Sequence, residues 1–287
     1  MSQFRPRLND QEYQAILNYR QGKRFDPDAI EVKEPSVVPD WLNTFEDGRE
    51  EVMPTIRIQG KTAVLSDIHL GIHDKAALIA AIQYAKSDRV ENIVLNGDIL
   101  DAAQISGHPK THDTPKFLNE LELTKQFLEG LRSEFREQTI YFKLGNHEDR
   151  LQRYLMAKAD AVAELIHYRQ LLKLDELDIR YVESTQFMRI ENTYIVHGHE
   201  MKVSGGVNPA RALILKAAAN VVMGHVHRTS FSSIKSLDGK FYKAYTTGCL
   251  CKLRQNYMPH SNSNHGFAIV QENGAIDNLW IENGVVQ

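Results

Sequence analysis

Cysteine is almost missing from this chain. Two residues in 287, Cys249 and Cys251, stand one residue apart, which is poor spacing for a disulfide. A disulfide-stapled secreted fold is therefore not expected, and the setting reads as reducing, intracellular and cytoplasmic. No apolar run approaches the roughly 20 residues that cross a bilayer, and the start MSQFRPRLND lacks a signal-peptide core, so no membrane partner is expected. The net charge is only −3, so no global basic field draws the chain to nucleic acid, although a local patch can. Internal repeats and low-complexity tracts are absent as well, which excludes solenoids and arrays.

What is present is an ordinary globular composition, 42% hydrophobic and 25% charged, long enough to bury a core unaided. Residues 1–55 separate by composition. NDQEYQAILNYRQGKR predicts a short helix capped by Asn9, and Phe25 to Pro54 is acidic and broken by Pro27, Pro35, Pro39 and Pro54. Trp41, Leu42 and Phe45 are expected to pin this appendage onto the main domain, 56–287, or onto a second copy in a homo-oligomer. Arg20, Lys23 and Arg24 offer the alternative of a nucleic-acid backbone contact.

From Thr62 the rhythm changes to apolar strands alternating with helices, which argues for a layered α/β fold with covered sheets. TAVLSD, ENIVLNGD, TIYFKLGN, TYIVHGH and NVVMGH read as strands. Helices are expected after Asp74, after Thr114 as cap with Pro115 in first position, over DRLQRYLMAKADAVAELI, and around Pro209–Ala219. TSFSSI, KFYKAYTTG and GFAIVQENGAIDNLW predict a second, more antiparallel sheet, with Asp238-Gly239 as a hairpin turn.

The five inner strands end alike. They finish on Asp67 and His69, Asp98 with Asp101, Asn146 and His147, His197 and His199, and His225 and His227. A polar residue after a strand is usually just the start of a loop. Here no Lys, Ser or Thr stands at these positions, and glycine flanks four of the ends at 97, 145, 198 and 224. Ligands of open α/β folds sit beyond the carboxyl ends of strands, so these ends are expected to converge. Oxygen and imidazole donors suit Mn, Fe or Zn. Asp67, His69, Asp98, Asn146, His197, His225 and His227 make seven donors, more than one ion needs. They suit two divalent transition-metal ions roughly 3.5–4 Å apart with a shared carboxylate, a geometry used on phosphate esters.

In this order D-x-H, G-D-x-x-D, G-N-H-E, H-G-H and G-H-x-H resemble the calcineurin-like metallophosphoesterase superfamily over about Thr62 to Gly248. The resemblance implies a four-layer α/β/β/α sandwich. It also implies that Asp67, His69 and His227 hold one ion, that Asn146, His197 and His225 hold the other, and that Asp98 bridges them. Manganese stands first among the candidate metals. His147 then faces the substrate as the group that assists the leaving oxygen, and Asp101 holds its ring. Glu148 and Asp149 read as acids at the start of the next helix.

G-D-x-x-D is followed here by Ala102, where the protein Ser/Thr phosphatases of the superfamily carry a phosphate-gripping arginine, unless Arg150 or Arg228 substitutes. SDIHLG resembles the opening of the nuclease and phosphodiesterase branches, and GNHEDRLQRYL small bacterial and phage-encoded members. The expected function is hydrolysis of phosphodiesters by in-line attack of a metal-activated water, a nuclease among the readings, with nucleic acid or nucleotide as substrate. The alternatives are a phosphomonoesterase on nucleotides or phosphoproteins, and a silent binding scaffold. His108, His112 and Arg228 are candidate substrate contacts, with solvated loop histidines as the plainer reading of the first two. His197 is preferred over His199 as ligand. Cys249 and Cys251 read as packing residues.

Overall fold

The structure, a computed structural model, describes residues 53–107, 109–110, 112, 114–203, 206–254 and 261–287. The expectations for the appendage up to residue 52, and for His108, lie outside the described residues.

Among the described residues thirteen strands form two sheets. In chain order they are β1 (Ile56–Arg57), β2 (Thr62–Leu65), β3 (Asn92–Asn96), β4 (Thr139–Lys143), β5 (Ile179–Val182), β6 (Met188–Ile190) and β7 (Thr193–Val196). They continue with β8 (Asn220–Met223), β9 (Ser230–Lys235), β10 (Phe241–Thr246), β11 (His265–Val270), β12 (Ile276–Glu282) and β13 (Val285–Val286). The first sheet runs β13-β12-β11-β2-β3-β4-β5 and the second β1-β6-β7-β8-β10-β9. The main helices are α1 (Lys75–Ser87), α2 (Phe117–Glu134), α3 (Asp149–Lys158), the short α4 (Asp160–Ala163) and α5 (Tyr168–Leu171), and α6 (Pro209–Ala217).

Strand alternation builds the layers. Ala63, Leu65, Ile93, Leu95, Ile140 and Phe142 point to one face of the first sheet and bury the apolar stripes of α1 and α2. The residues between them, Val64, Val94 and Tyr141, point to the other face and meet Met188, Ile190, Ile195 and Val222 of the second sheet. Beyond that, Val196, Val221 and Met223 pack on Ala210, Leu213 and Ile214 of α6. The order is helix, sheet, sheet, helix, as the resemblance implies.

Three local expectations change. The late strands do not form one sheet: β9 and β10 close the second, but β11 pairs antiparallel with β2 in the first. The reason is burial on both faces, since Phe267 and Ile269 join the helix-side core while Ala268 and Val270 join the core between sheets. Thr114 is not the cap of α2. The helix begins at Phe117, whose amide donates to Gln104 Oε1 at 2.7 Å, so a side chain from the preceding turn supplies the acceptor. The third predicted helix breaks at Ala159, where φ is −157° and ψ is 50°, leaving α3 and α4.

One buried charge pair braces the site from behind. Lys143, at the end of β4, is fully buried, and its Nζ donates to the carbonyls of Glu183, Ser184 and Gln186 at 3.2, 2.6 and 3.0 Å. It lies 3.4 Å from Glu200, whose carboxylate accepts the amides of His197 and Gly198 at 2.9 and 2.7 Å. Burial pulls the ammonium pKa down, and Glu200 opposes it. Lys143→Met leaves Glu200 buried without its partner and is expected to remove about 3–5 kcal/mol. Each kcal/mol moves Tm by about 2–4 °C in a domain of this size. Calorimetry showing an unchanged Tm would mean that the pair contributes nothing to folding.

Candidate metal centre

The predicted donors meet because their strands stop together. β2, β3 and β4 run parallel with Leu65 beside Leu95 and Leu95 beside Phe142, and β7 and β8 run parallel with Val196 beside Met223. Asn96 joins the two sheets at these ends, donating to Ser66 Oγ at 3.0 Å and to the Val196 carbonyl at 2.8 Å. Past the ends the backbone is left-handed at Asp67 (φ 56°), His69 (46°), Asp98 (54°), His225 (67°) and His227 (55°). Such turns are strained for residues with a Cβ, and here they swing the donors toward one point. Approach is close enough to require glycine. A Cβ on Gly97 would lie 2.5 Å from His197 Nδ1, and one on Gly224 2.6 Å from Asp67 Oδ2.

The donors fall into two groups. In one, His69 Nε2 and His227 Nε2 are 3.3 Å apart, and Asp67 Oδ1 is 3.2 Å from His227 Nε2. In the other, His197 Nε2 is 3.2 Å from Asn146 Oδ1 and 3.3 Å from Asp98 Oδ2, and the His225 ring lies 5.1 Å from the His197 ring. Asp98 stands between them, its Oδ2 also 3.9 Å from His69 Nε2.

Donor and acceptor logic shows that a cation fits here. His197 Nδ1 lies 2.7 Å from the Asn96 carbonyl, so Nδ1 carries the proton and Nε2 aims a lone pair at two further acceptors, Asn146 Oδ1 and Asp98 Oδ2. A proton can fill that position. Burial alone would pull His197 down, but the Asp98 carboxylate outweighs it and pushes the imidazole up to about 10. Burial would likewise raise Asp98, and His197 and His147 instead hold it well below the usual range. A divalent ion fits the same donors, and it also fits Asp67 Oδ1, a buried carboxylate oxygen that faces His227 Nε2 at 3.2 Å without a hydrogen bond of its own.

Behind these groups lies a layer that fixes them. Asp101 Oδ1 is 3.2 Å from His69 Nδ1 and 3.1 Å from His147 Nδ1, so one carboxylate orients both rings. Burial would raise Asp101, but His147 and His69 hold it down. For His147, burial works downward while Asp98 and Asp101 push the ring up against Arg150. Cys249 and Cys251 are buried, as packing residues should be, but Cys251 Sγ also lies 3.7 Å from His227 Nδ1, at the back of that imidazole.

Two buried glutamates are the largest departure from the sequence pattern. Asp149 does open α3, but Glu148 serves the backbone instead of the helix dipole. Its carboxylate accepts the amides of Asp98, Ile99, Leu100 and Gly145 at 2.9, 2.7, 3.0 and 2.7 Å. Glu120 of α2 accepts the Ala102 amide at 2.6 Å, and burial pushes its carboxyl up to about 7 against that bond. Glu148→Gln places an N–H donor where only acceptors fit. It is expected to cost about 1–3 kcal/mol of stability and to weaken metal binding roughly 10–100-fold. Thermal melts and metal titrations run in parallel check both. Unchanged metal affinity would confine Glu148 to folding.

The remaining candidates are less central. His199 lies beside His197 with ring centroids 5.4 Å apart and is 3.5 Å from Asp149 Oδ2, whereas His197 is the one against Asp98 and Asn146. His112 is an exposed turn residue. Arg228 donates to the carbonyls of Gly206 and Val207. Arg150, whose guanidinium reaches Asp101 and His147, sits closer to the cluster.

Comparison with known proteins agrees with this geometry. Residues 60–250 match the family model of calcineurin-like phosphoesterases. No curated protein matches the chain. Among solved structures, Vacuolar Protein Sorting 29 from Cryptosporidium parvum is 9% identical, with 80% of this chain and 95% of that chain covered and a TM-score of 0.42. The phosphoesterase Yfce from E. coli is 14% identical, with 77% and 100% covered and a TM-score of 0.36. Likeness at that level adds nothing about activity. The family match covers most of the chain and includes all five donor-bearing strand ends, and the chain belongs to the calcineurin-like phosphoesterase family.

Proposed function

We propose that the protein hydrolyses phosphodiester bonds, with nucleic acid or nucleotide diesters as the substrate class. The family implies a dinuclear divalent metal site. Asp67, His69 and His227 would hold one ion, Asn146, His197 and His225 the other, and Asp98 would serve both. Such ions, with manganese first among the candidates, acidify water and offset charge on the phosphate when bound.

The observation that carries the reading is the placement of His147. Its amide donates to Asp98 Oδ1 at 2.9 Å and its Nδ1 contacts the Asp101 carbonyl at 2.8 Å, while its Nε2 lies 3.7 Å from Asp98 Oδ2. The ring is thus fixed at one edge and faces the donor cluster with the other. There it can pass a proton to, or hydrogen-bond, a leaving oxygen. Ala102 is buried and uncharged, so the position after Asp101 brings no cation to the phosphate, unlike the arginine at that place in the protein Ser/Thr phosphatases.

The test is a substrate panel with added manganese: bis-p-nitrophenyl phosphate, p-nitrophenyl phosphate, cyclic nucleotides, and single- and double-stranded DNA and RNA. Faster cleavage of diesters supports the proposal. Cleavage of monoesters alone replaces it with a phosphomonoesterase, and no hydrolysis with any metal supports a scaffold. Among the described residues no helix is long and apolar enough to cross a membrane.

A further inference from the structure

Arg150 stands three residues after His147 in the first turn of α3, and its guanidinium folds back onto the histidine. One nitrogen, Nη1, donates to the Asp101 carbonyl at 2.6 Å, and Nη2 lies 3.0 Å from His147 Nε2. Arginine can only donate, so this contact makes Nε2 an acceptor. The other ring nitrogen faces the same Asp101 carbonyl and must donate. His147 is therefore held in one tautomer, with the nitrogen that faces the donor cluster occupied by a cation. An imidazole lone pair is a weak partner for a guanidinium. A phosphate oxygen is a stronger one, because both sides of that hydrogen bond are charged. Lys143, the buried cation behind the site, is already committed to three carbonyls and Glu200.

From this arrangement we infer that Arg150 binds a non-bridging oxygen of the substrate's phosphate, giving up its contact with His147 Nε2 as it does so. The inference rests on the phosphoester reading of the site. No covalent bond changes in the exchange; one hydrogen bond is traded for another. Phosphate binding on Arg150 also frees the His147 Nε2 lone pair, which picks up a proton from solvent before it serves the leaving oxygen. Arg150 thereby links occupancy of the site to the availability of that histidine. The ligand class is any ester or free ion with an anionic phosphate oxygen.

Inorganic phosphate is the probe, used as an inhibitor of the full-length, manganese-loaded protein, with bis-p-nitrophenyl phosphate as substrate. Arg150→Ala is expected to raise the phosphate inhibition constant and KM roughly 10–100-fold, the range for a hydrogen bond to a charged group. Metal content should not change. Millimolar guanidinium should restore part of the loss in Arg150→Ala and do nothing for the parent. Arg150→Lys, which keeps the charge but cannot make both contacts, should fall between. An unchanged inhibition constant in fully loaded Arg150→Ala would overturn the inference. So would a loss that guanidinium does not restore and that follows a fall in Tm, since that is the signature of a brace. If the parent cleaves only monoesters, the diester reading fails and the phosphate inhibition constants still judge Arg150. If the parent is loaded with metal and phosphate does not inhibit it at any concentration, both fail.

Discussion

Asp98→Ala is expected to strip the centre of both metals and to abolish hydrolysis. The carboxylate reaches imidazoles of both sets of donors: Oδ2 lies 3.3 Å from His197 Nε2 and 3.9 Å from His69 Nε2. Its other oxygen holds the His147 amide at 2.9 Å, so the loss reaches a third group. Changes one shell further out weaken metal binding roughly 10–100-fold, and removal of a shared ligand should exceed that for each ion. Elemental analysis of protein dialysed against trace manganese reads the result directly. Asp98→Asn keeps an oxygen for the His147 amide and removes the charge. It should fold like the parent and still bind metal poorly. Parent-like metal content in both variants would rule out the bridging role.

His147→Ala should behave in the opposite way, with metal content preserved and turnover lowered by roughly 10²–10⁴-fold, the range for removal of a general acid. The loss should be small for a p-nitrophenolate leaving group and large for a ribose or deoxyribose oxygen, which needs the proton. A loss equal for both would mean that the ring positions phosphate instead. If Arg150 covers Nε2 until phosphate draws it away, Arg150→Ala should cost no less kcat in the His147→Ala background than in the parent, because only the parent gains a freed Nε2.

The parts of the fold and site that could be read in the sequence are those with a period or a repeated ending. Continuous apolar runs in TAVL, NIVLN and TIYFK placed the inner strands correctly, since a strand buried on both faces has few other ways to exist. The convergence of the seven candidate donors was legible because each follows such a strand. Residues without a period were not. Glu148 and Glu120 hold amides that appear only once the loops are folded, and Lys143 looks like one polar letter in an apolar strand until Glu200 arrives from the other sheet. Thr114 and Pro115 carry every local sign of a helix start, yet Gln104 takes the role because the tertiary turn brings it to the Phe117 amide. The second sheet was misdrawn for a similar reason: local pattern marks a strand but not which of two sheets it joins.

The left-handed turns bear on how this protein could be altered. Asp67, His69, Asp98, His225 and His227 adopt a backbone that glycine adopts freely and that costs other residues on the order of 1–3 kcal/mol each. Glycine at any of these positions would relax the chain while deleting a donor. A library selected for heat resistance without metal would therefore drift toward glycine at the five positions and arrive at robust proteins with an empty centre. Selection with manganese present reverses the preference, because an ion bound only by the folded state adds its own stabilisation and makes the strained donors worth keeping.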